Sequence, residues 1–481
     1  MKIRKILFVA LLAVSLSCNF VSRALLPATR VPVATATILA PTRTPAHTRS
    51  PVPTLEASVT PPPAANLENI YVPDACLGEP IATLPPATEQ ALPTEGLPPN
   101  PIVSTAQQLN LFDSVVGRIN KVYLYKDFNG VDWKGITAAT RAKIKAGLDT
   151  ETFYQEMSVL VTELKDDHSS FLSPSVSASM DTMEAGHTDY VGIGVLTVGD
   201  QVKKRSLVLS IFPGSPAEHA GIKVHDSILA IDGIPVFLND QYSIGRSKGP
   251  QCSAVTMTVQ TPGQEPRQMT MLRFRITAAL PVDARLVNTS DGSRIGYIFL
   301  STFIDETLPE QVRLALEDFG KLDGLILDNR MNGGGSTNVV APILGYFTSG
   351  VVGNFVDHSD RQPLTIDADP IHNSQTVPLV VLVGTKSASF GEIFSGILQD
   401  IGRAKVVGQT TLGNVEILQQ YGFDDGSRIW IAAETFDPLV SHANWEKTGI
   451  IPDVQAFADW DTFTFETDPA IAASLKLFGH K

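Results

Sequence analysis

Between Pro378 and Asn414 the chain reads PLVVLVGTKSASFGEIFSGILQDIGRAKVVGQTTLGN, and Ser389 stands there in a setting where a hydroxyl can do chemistry. The apolar run Leu379 to Val383 predicts a buried strand, and the following Gly-Thr-Lys-Ser a turn. Ile393, Phe394, Ile397 and Leu398 predict the buried face of a helix. A serine on such a strand-to-helix turn exposes its hydroxyl beside the N–H groups of a helix N-terminus, as a nucleophile requires. The same position also suits an ordinary N-cap serine, and this segment alone leaves both readings open. Upstream, the block Asp328-Asn329-Arg330-Met331-Asn332-Gly333-Gly334-Gly335 follows another apolar run. Its consecutive glycines let the backbone approach a ligand closely and present N–H groups to it, or else form a loop with no role.

The elements that must hold these residues are readable by period. Helices are expected within 104–164: one through Leu109, Phe112, Val116, Ile119 and Tyr123, a second from Trp133 to Lys145, and a third from Thr150 to Leu164. Residues 187–278 read as short strands (Val191–Val198, Leu207–Ile211, Ser227–Ile231, Ala254–Gln260 and Arg267–Phe274). One short helix is capped by Ser215, starts with Pro216 and ends at Gly221. From about residue 279, strands at Ile295–Leu300, Gly324–Leu327 and Leu379–Val383 alternate with helices at Leu308–Leu322 and Phe390–Ile401. Such alternation predicts an α/β domain.

The 481 residues are enough for two or three domains, and 43% hydrophobic residues supply a large core. A net charge of −13 argues against nucleic acid as a partner. The nine histidines show no helical His-x-x-x-His pair and no zinc spacing, so no metal is expected. Lys2, Arg4 and Lys5 followed by the apolar Ile6–Leu16 form an export signal too short to span a bilayer comfortably. Ser17-Cys18 ends it in the manner of a bacterial lipoprotein, with Cys18 as the lipid-bearing residue; a plain secretory signal is the alternative. Residues 19–102, rich in Pro, Thr and Ala, are expected to be an extended disordered tether, within which 67–77 is less biased. Cys76 and Cys252 remain, and the sequence does not say whether they pair.

Several blocks, in order, resemble the carboxyl-terminal processing, or tail-specific, serine proteases. They are LKDDHSSFLSP (164–174), YVGIGV (190–195), SPAEHAGIKVHDSILAIDG (215–233), IGYIFLSTF (295–303), LDGLILDNRMNGGG (322–335), the segment 377–414 and KTGIIPDV (447–454). The resemblance implies an α/β peptidase core of the ClpP/crotonase type with an inserted PDZ domain and an N-terminal helical region. The divisions are then 1–18 signal, 19–102 tether, 103–180 helical region, 181–278 PDZ domain and 279–475 peptidase core. It also implies an extracytoplasmic endopeptidase acting on unfolded or C-terminally exposed polypeptide, without a cofactor and touching membrane only through its N-terminus. Gly192, Ile193, Gly194 and Val195 would receive the peptide, using loop N–H groups and a strand edge. Ser389, marked by Glu392 in the same block, would be the nucleophile, with the N–H groups of Gly334 and Phe390 as the oxyanion donors.

The family's general base is a lysine in a Thr-Phe-Gly-Lys context, and this chain has Thr411-Leu412-Gly413-Asn414 instead. An asparagine cannot take the hydroxyl proton. The tricorn-type branch uses a histidine ahead of the PDZ and a later glutamate, and His168 and Glu446 stand in matching places. Ser389, His168 and Glu446 would then form a triad, with Glu416 and Glu434 as rival orienters. Another lysine (Lys386, Lys405 or Lys447) is a second reading. A catalytically silent, peptide-binding adaptor is the third.

Overall fold

The computed structural model describes residues 70–78, 81, 100–166, 168–178, 189–238, 240–277 and 280–480. The signal segment, Cys18 and most of the expected tether lie outside them. Among the described residues no helix is long and apolar enough to cross a membrane.

The central sheet has six strands, in the order Ala284–Asn288, Arg294–Phe299, Gly324–Asp328, Leu379–Val383, Lys405–Gly408 and Val454–Gln455. The first pair is antiparallel and every later pair is parallel. Residues along these strands alternate between two cores. Ile298, Leu325, Leu327, Val381, Val383 and Val406 meet the helices Leu308–Phe319, Thr337–Phe347 and Phe390–Asp400. Tyr297, Ile326, Val380, Leu382 and Val407 face Trp460 and Phe463 on the other side. Burial on both faces is why these strands read as uninterrupted apolar runs. Three loops leave the carboxyl ends of adjacent parallel strands and meet at one edge: 329–335, 384–389 and 409–414. In open α/β sheets that edge is where ligands bind.

A second sheet holds the long strand Arg428–Pro438, flanked by Ser170–Leu172, Gly350–Val356 and Ile417–Gly422, with Arg361–Ile366 outside. Three helices, Thr105–Val122, Trp133–Ala146 and Thr150–Thr162, pack Phe112, Val115, Ile119, Phe153 and Met157 on its Leu418, Ile429 and Ile431. Each starts with a side-chain cap, from Ser104, Asp132 and Asp149 respectively.

Six strands between Val195 and Leu272 form a sheet around a separate core of Ile193, Val208, Ile228, Met257 and Val259. The helix Pro216–Ala220 is capped by Ser215 and closed by Gly221 in the left-handed region, as its sequence predicts. The expected continuous strand Val191–Val198 is broken at Gly194, which has a φ of +80° and presses on Ser215. The preceding strand Asp189–Gly192 pairs with Phe274–Thr277 instead. Cys76 and Cys252 form a disulfide, and Tyr71 stacks on His219 at 3.6 Å, so the segment 70–77 lies against this β-rich part.

This part is seated on the central sheet through one aromatic segment. Trp460 Nε1 donates to Val208 O at 3.0 Å, and His225 Nδ1 stands 2.9 Å from Trp460 O with its ring against Trp460 and Phe463. Arg205 pairs with Asp461 at 3.0 Å. Burial pushes His225 from its ordinary 6.5 down to about 4, and the nearby Arg330 guanidinium acts in the same direction. The unfolded chain therefore binds this proton more readily, so the contribution is complete above pH 6.5 and is lost as pH falls toward 4, about 3 kcal/mol in all. Chemical denaturation between pH 7 and 4.5 should show stability falling with acid. His225→Asn, which keeps a donor for Trp460 O and tolerates the residue's φ of +74°, should flatten that slope. An unchanged slope would show that His225 is not the titrating group.

Candidate active site

Ser389 begins the helix Phe390–Asp400 but does not cap it, for its side chain accepts no helix N–H. Its backbone has φ +52° and ψ −128°, a strained conformation for a residue with a Cβ. Neighbours on every side hold it there. Ser389 N–H donates to Asn414 O at 2.7 Å, Ala388 N–H to Asn332 O at 3.1 Å, and Leu412 N–H to Ser387 O at 3.3 Å. Among the described residues the Ser389 hydroxyl makes no hydrogen bond. Ser387, by contrast, is used by the fold: its hydroxyl donates to Asn329 O at 2.7 Å and accepts Gly384 N–H at 3.1 Å.

The glycine loop closes against this serine. A Cβ on Gly334 would stand 2.7 Å from Ser389 Cβ and 3.0 Å from Phe390 N, and Gly334 has a φ of +102°. The Gly334 N–H, expected to point freely at an oxyanion, instead donates to Asn332 Oδ1 at 2.8 Å. The reason is local: an asparagine side chain readily takes the N–H two residues on, and Asn332 is fully buried. Glu392, fully buried in the first helical turn, accepts Gly413 N–H and Asn414 N–H at 2.8 Å each and the Thr411 hydroxyl. Asn414 therefore stands beside Ser389 through its backbone, and its side-chain Oδ1 is buried with no hydrogen bond.

From Asn414 the chain runs directly into the histidine site. Val415 N–H donates to Glu446 Oε2 at 2.6 Å, and Glu416 Oε2 lies 3.1 Å from His168 Nε2, although neither of these two atoms completes a hydrogen bond. The Tyr125 hydroxyl donates to Glu416 Oε1. His168 is fixed by its backbone: Asp166 Oδ1 accepts His168 N–H at 3.0 Å and Ser169 N–H at 2.7 Å. Its register follows from the second sheet, where Ser170 and Gln420 both pair with Trp430, on opposite edges of one strand.

The carboxylate facing the His168 ring is thus Glu416, and a Glu446 oxygen lies within 4.8 Å of the ligand atoms of both. The sequence favours Glu446 because it precedes the closing Gly-Ile-Ile-Pro-Asp block. The pairing that carries Glu416 inward joins strands far apart in the chain and leaves no local signal. Burial, and then the Glu446 charge, push Glu416 well above the ordinary carboxylate range, and burial also raises Glu446. Burial lowers His168, leaving a neutral imidazole at physiological pH. Glu434 bonds Gln419 at 2.9 Å and is no part of this group. Lys386 and Lys447 are exposed, and Lys405 pairs with Asp453 at 2.9 Å. Gly192 ends one strand and Val195 opens the next, and between them Ile193 O and Gly194 O accept Ala217 N–H and Phe212 N–H at 2.9 and 3.0 Å.

The arrangement is similar to known proteins at several levels. Residues 294–456 match the model of peptidase family S41. A carboxyl-terminal-processing protease of Picosynechococcus sp. is 31% identical over 349 residues, covering 70% of this chain and 80% of its own. One from Synechocystis sp. is 29% identical over 382 residues, covering 78% and 87%. The solved photosystem II D1 C-terminal processing protease superposes with a TM-score of 0.54 at 25% identity, over 79% of this chain and 98% of that one. A strained, uncapping serine on a strand-to-helix turn, pressed by a glycine loop, is what such an enzyme needs, and the chain belongs to peptidase family S41, the carboxyl-terminal processing serine proteases.

Proposed function

We propose that the chain is an exported serine endopeptidase in which Ser389 attacks the peptide carbonyl, His168 takes its proton and Glu416 orients His168. The observation that carries this reading is the backbone of Ser389: a strained residue at a helix start whose hydroxyl serves no structural bond. Strain of that kind persists where surrounding structure enforces it, and it belongs to function more often than to stability. His168 is the base because Asn414 has no titratable group, Lys386 and Lys447 are exposed, and Lys405 pairs with Asp453. The catalytic contact between His168 and the Ser389 hydroxyl forms when substrate fills the cleft, since catalytic hydrogen bonds commonly tighten only in the complex. Glu446 supports Glu416 from behind, through the Val415 N–H that it accepts.

The chemistry then runs in two halves. The Ser389 oxygen bonds to the carbonyl carbon as its proton passes to His168. The leaving amine takes that proton, and water cleaves the acyl-enzyme by the reverse route. Phe390 N–H and Gly334 N–H hold the developing oxyanion, Gly334 on releasing Asn332. The β-rich part from Asp189 to Thr277 acts as the PDZ domain. Its strand Val195–Asp200 ends a sheet, so an extended polypeptide can add there, with Gly192, Ile193, Gly194 and Val195 receiving its terminus. The Cys76–Cys252 disulfide fits an oxidising compartment and supports export, with Cys18 as the lipid anchor and 19–102 as the tether. The second reading, a silent peptide-binding adaptor, is favoured by Asn414 and by the occupied Gly334 N–H.

Cleavage of an unstructured protein by the purified chain separates these readings. Ser389→Ala and His168→Ala should each lose at least about 1,000-fold in kcat/KM, whereas Asn414→Ala should keep activity within about tenfold. No cleavage by the unaltered chain, with peptide binding intact, would establish the adaptor instead. Gly334→Ala places a methyl group on Ser389 in a backbone region that disfavours it. A loss in kcat of at least about 100-fold, with circular dichroism unchanged, is expected; full activity would remove Gly334 from the site.

A further inference from the structure

We propose that His168, Glu416 and Glu446 form a transition-metal site, suited to zinc, and that filling it silences the peptidase. One ligand atom from each residue lies within 4.8 Å of the other two. His168 and Glu416 are only 5% and 3% exposed, yet His168 Nε2 and Glu416 Oε2 both lack a hydrogen-bond partner and face each other at 3.1 Å. Zinc held tetrahedrally by nitrogen and oxygen at about 2.1 Å sets its ligands about 3.4 Å apart, so this pair is already spaced for it and Glu446 must close by at most about 1.4 Å.

The donor chemistry points the same way. One imidazole with two carboxylates is a zinc set with its fourth position open, whereas calcium and magnesium favour oxygen alone. Among the described residues no lysine or arginine pairs with either carboxylate, so no cation of the protein competes with a metal for their oxygens. The outer groups needed to hold the ligands are also present. The Tyr125 hydroxyl bonds the other Glu416 oxygen, Val415 N–H bonds Glu446, and Asp166 holds the His168 backbone.

A metal on Nε2 would leave the imidazole proton on Nδ1, the nitrogen that would otherwise take the Ser389 proton. This consequence rests on His168 being the base; the binding itself does not. Calorimetry with zinc chloride on the purified full chain should show one ion bound, and cobalt(II) should give the visible absorption of a low-coordinate site. Ser389→Ala should bind the metal as the unaltered chain does. His168→Ala should weaken binding by at least about 100-fold, and the conservative Glu446→Gln by at least about tenfold. Cleavage of an unstructured protein should fall in step with occupancy and return with EDTA. No binding, or binding untouched by both substitutions, would overturn the metal site and leave the triad standing. Stoichiometric binding with cleavage undiminished would overturn both the silencing and the role of His168 as base.

Discussion

The site depends on one buried carboxylate that takes no part in its chemistry. Glu392 lies in the first turn of the helix behind Ser389 and receives two N–H groups and a hydroxyl from the loop Thr411–Asn414. Burial disfavours its charge, while the donors and the helix N-terminus favour it. The same loop returns the bond that fixes Ser389, Asn414 O accepting its N–H, and Thr411 Oγ1 also accepts Ile450 N–H at 2.7 Å. The serine turn, the position of the absent lysine and the segment before Val454 are thereby one rigid unit. A hydrogen bond to a buried charge contributes roughly 1.5–3 kcal/mol, enough for this staple to offset the strain in Ser389.

From that unit outward, the geometry of the second sheet decides which groups gather beyond Asn414. Two residues beyond Asn414, Glu416 enters the core, and His168 arrives there because Ser170–Leu172 lies along the same long strand as Ile417–Gly422. A lysine on the Asn414 loop would sit close to Ser389 without help from this sheet. With asparagine there, the proposed acceptor His168 would come from a different layer, and its distance to Ser389 would depend on how the two sheets pack. Tyr125, Glu416, Glu446 and Asp166 are densely bonded around His168. An imidazole reaching across layers must be held by its surroundings.

The parallel sheet was legible because its strands are buried on both faces. Leu379–Val383 and Gly324–Asp328 read as plain apolar runs, and Ser215-Pro216 with Gly221 spelled out a helix start and stop. The second sheet was not legible. Arg361–Ile366 is half-exposed and carries Pro363, while Gly350–Val356 contains two glycines, and neither resembles a core strand. Glu416 was obscured for that reason, and resemblance alone drew attention to Glu446. The Cys76–Cys252 bond joins residues 176 apart and has no local signature at all. Asn332 taking the Gly334 N–H was obscured differently: the residue pattern is ordinary, and only the backbone direction reveals it.

Arg330 connects these layers on the far side of the glycine loop. It is buried between Asp328 and Asp468, and Trp460 and Phe463 lie over its guanidinium at 5.4 and 5.0 Å. Two carboxylates and two aromatic faces compensate one desolvated cation, a costly arrangement to disturb. Asp328 ends the strand before the glycine loop, Asp468 caps the helix Pro469–Leu477, and Trp460 is the residue on which the β-rich part is seated. The loop that presses on Ser389 is therefore anchored by a cluster whose aromatic lid belongs to the contact with that part.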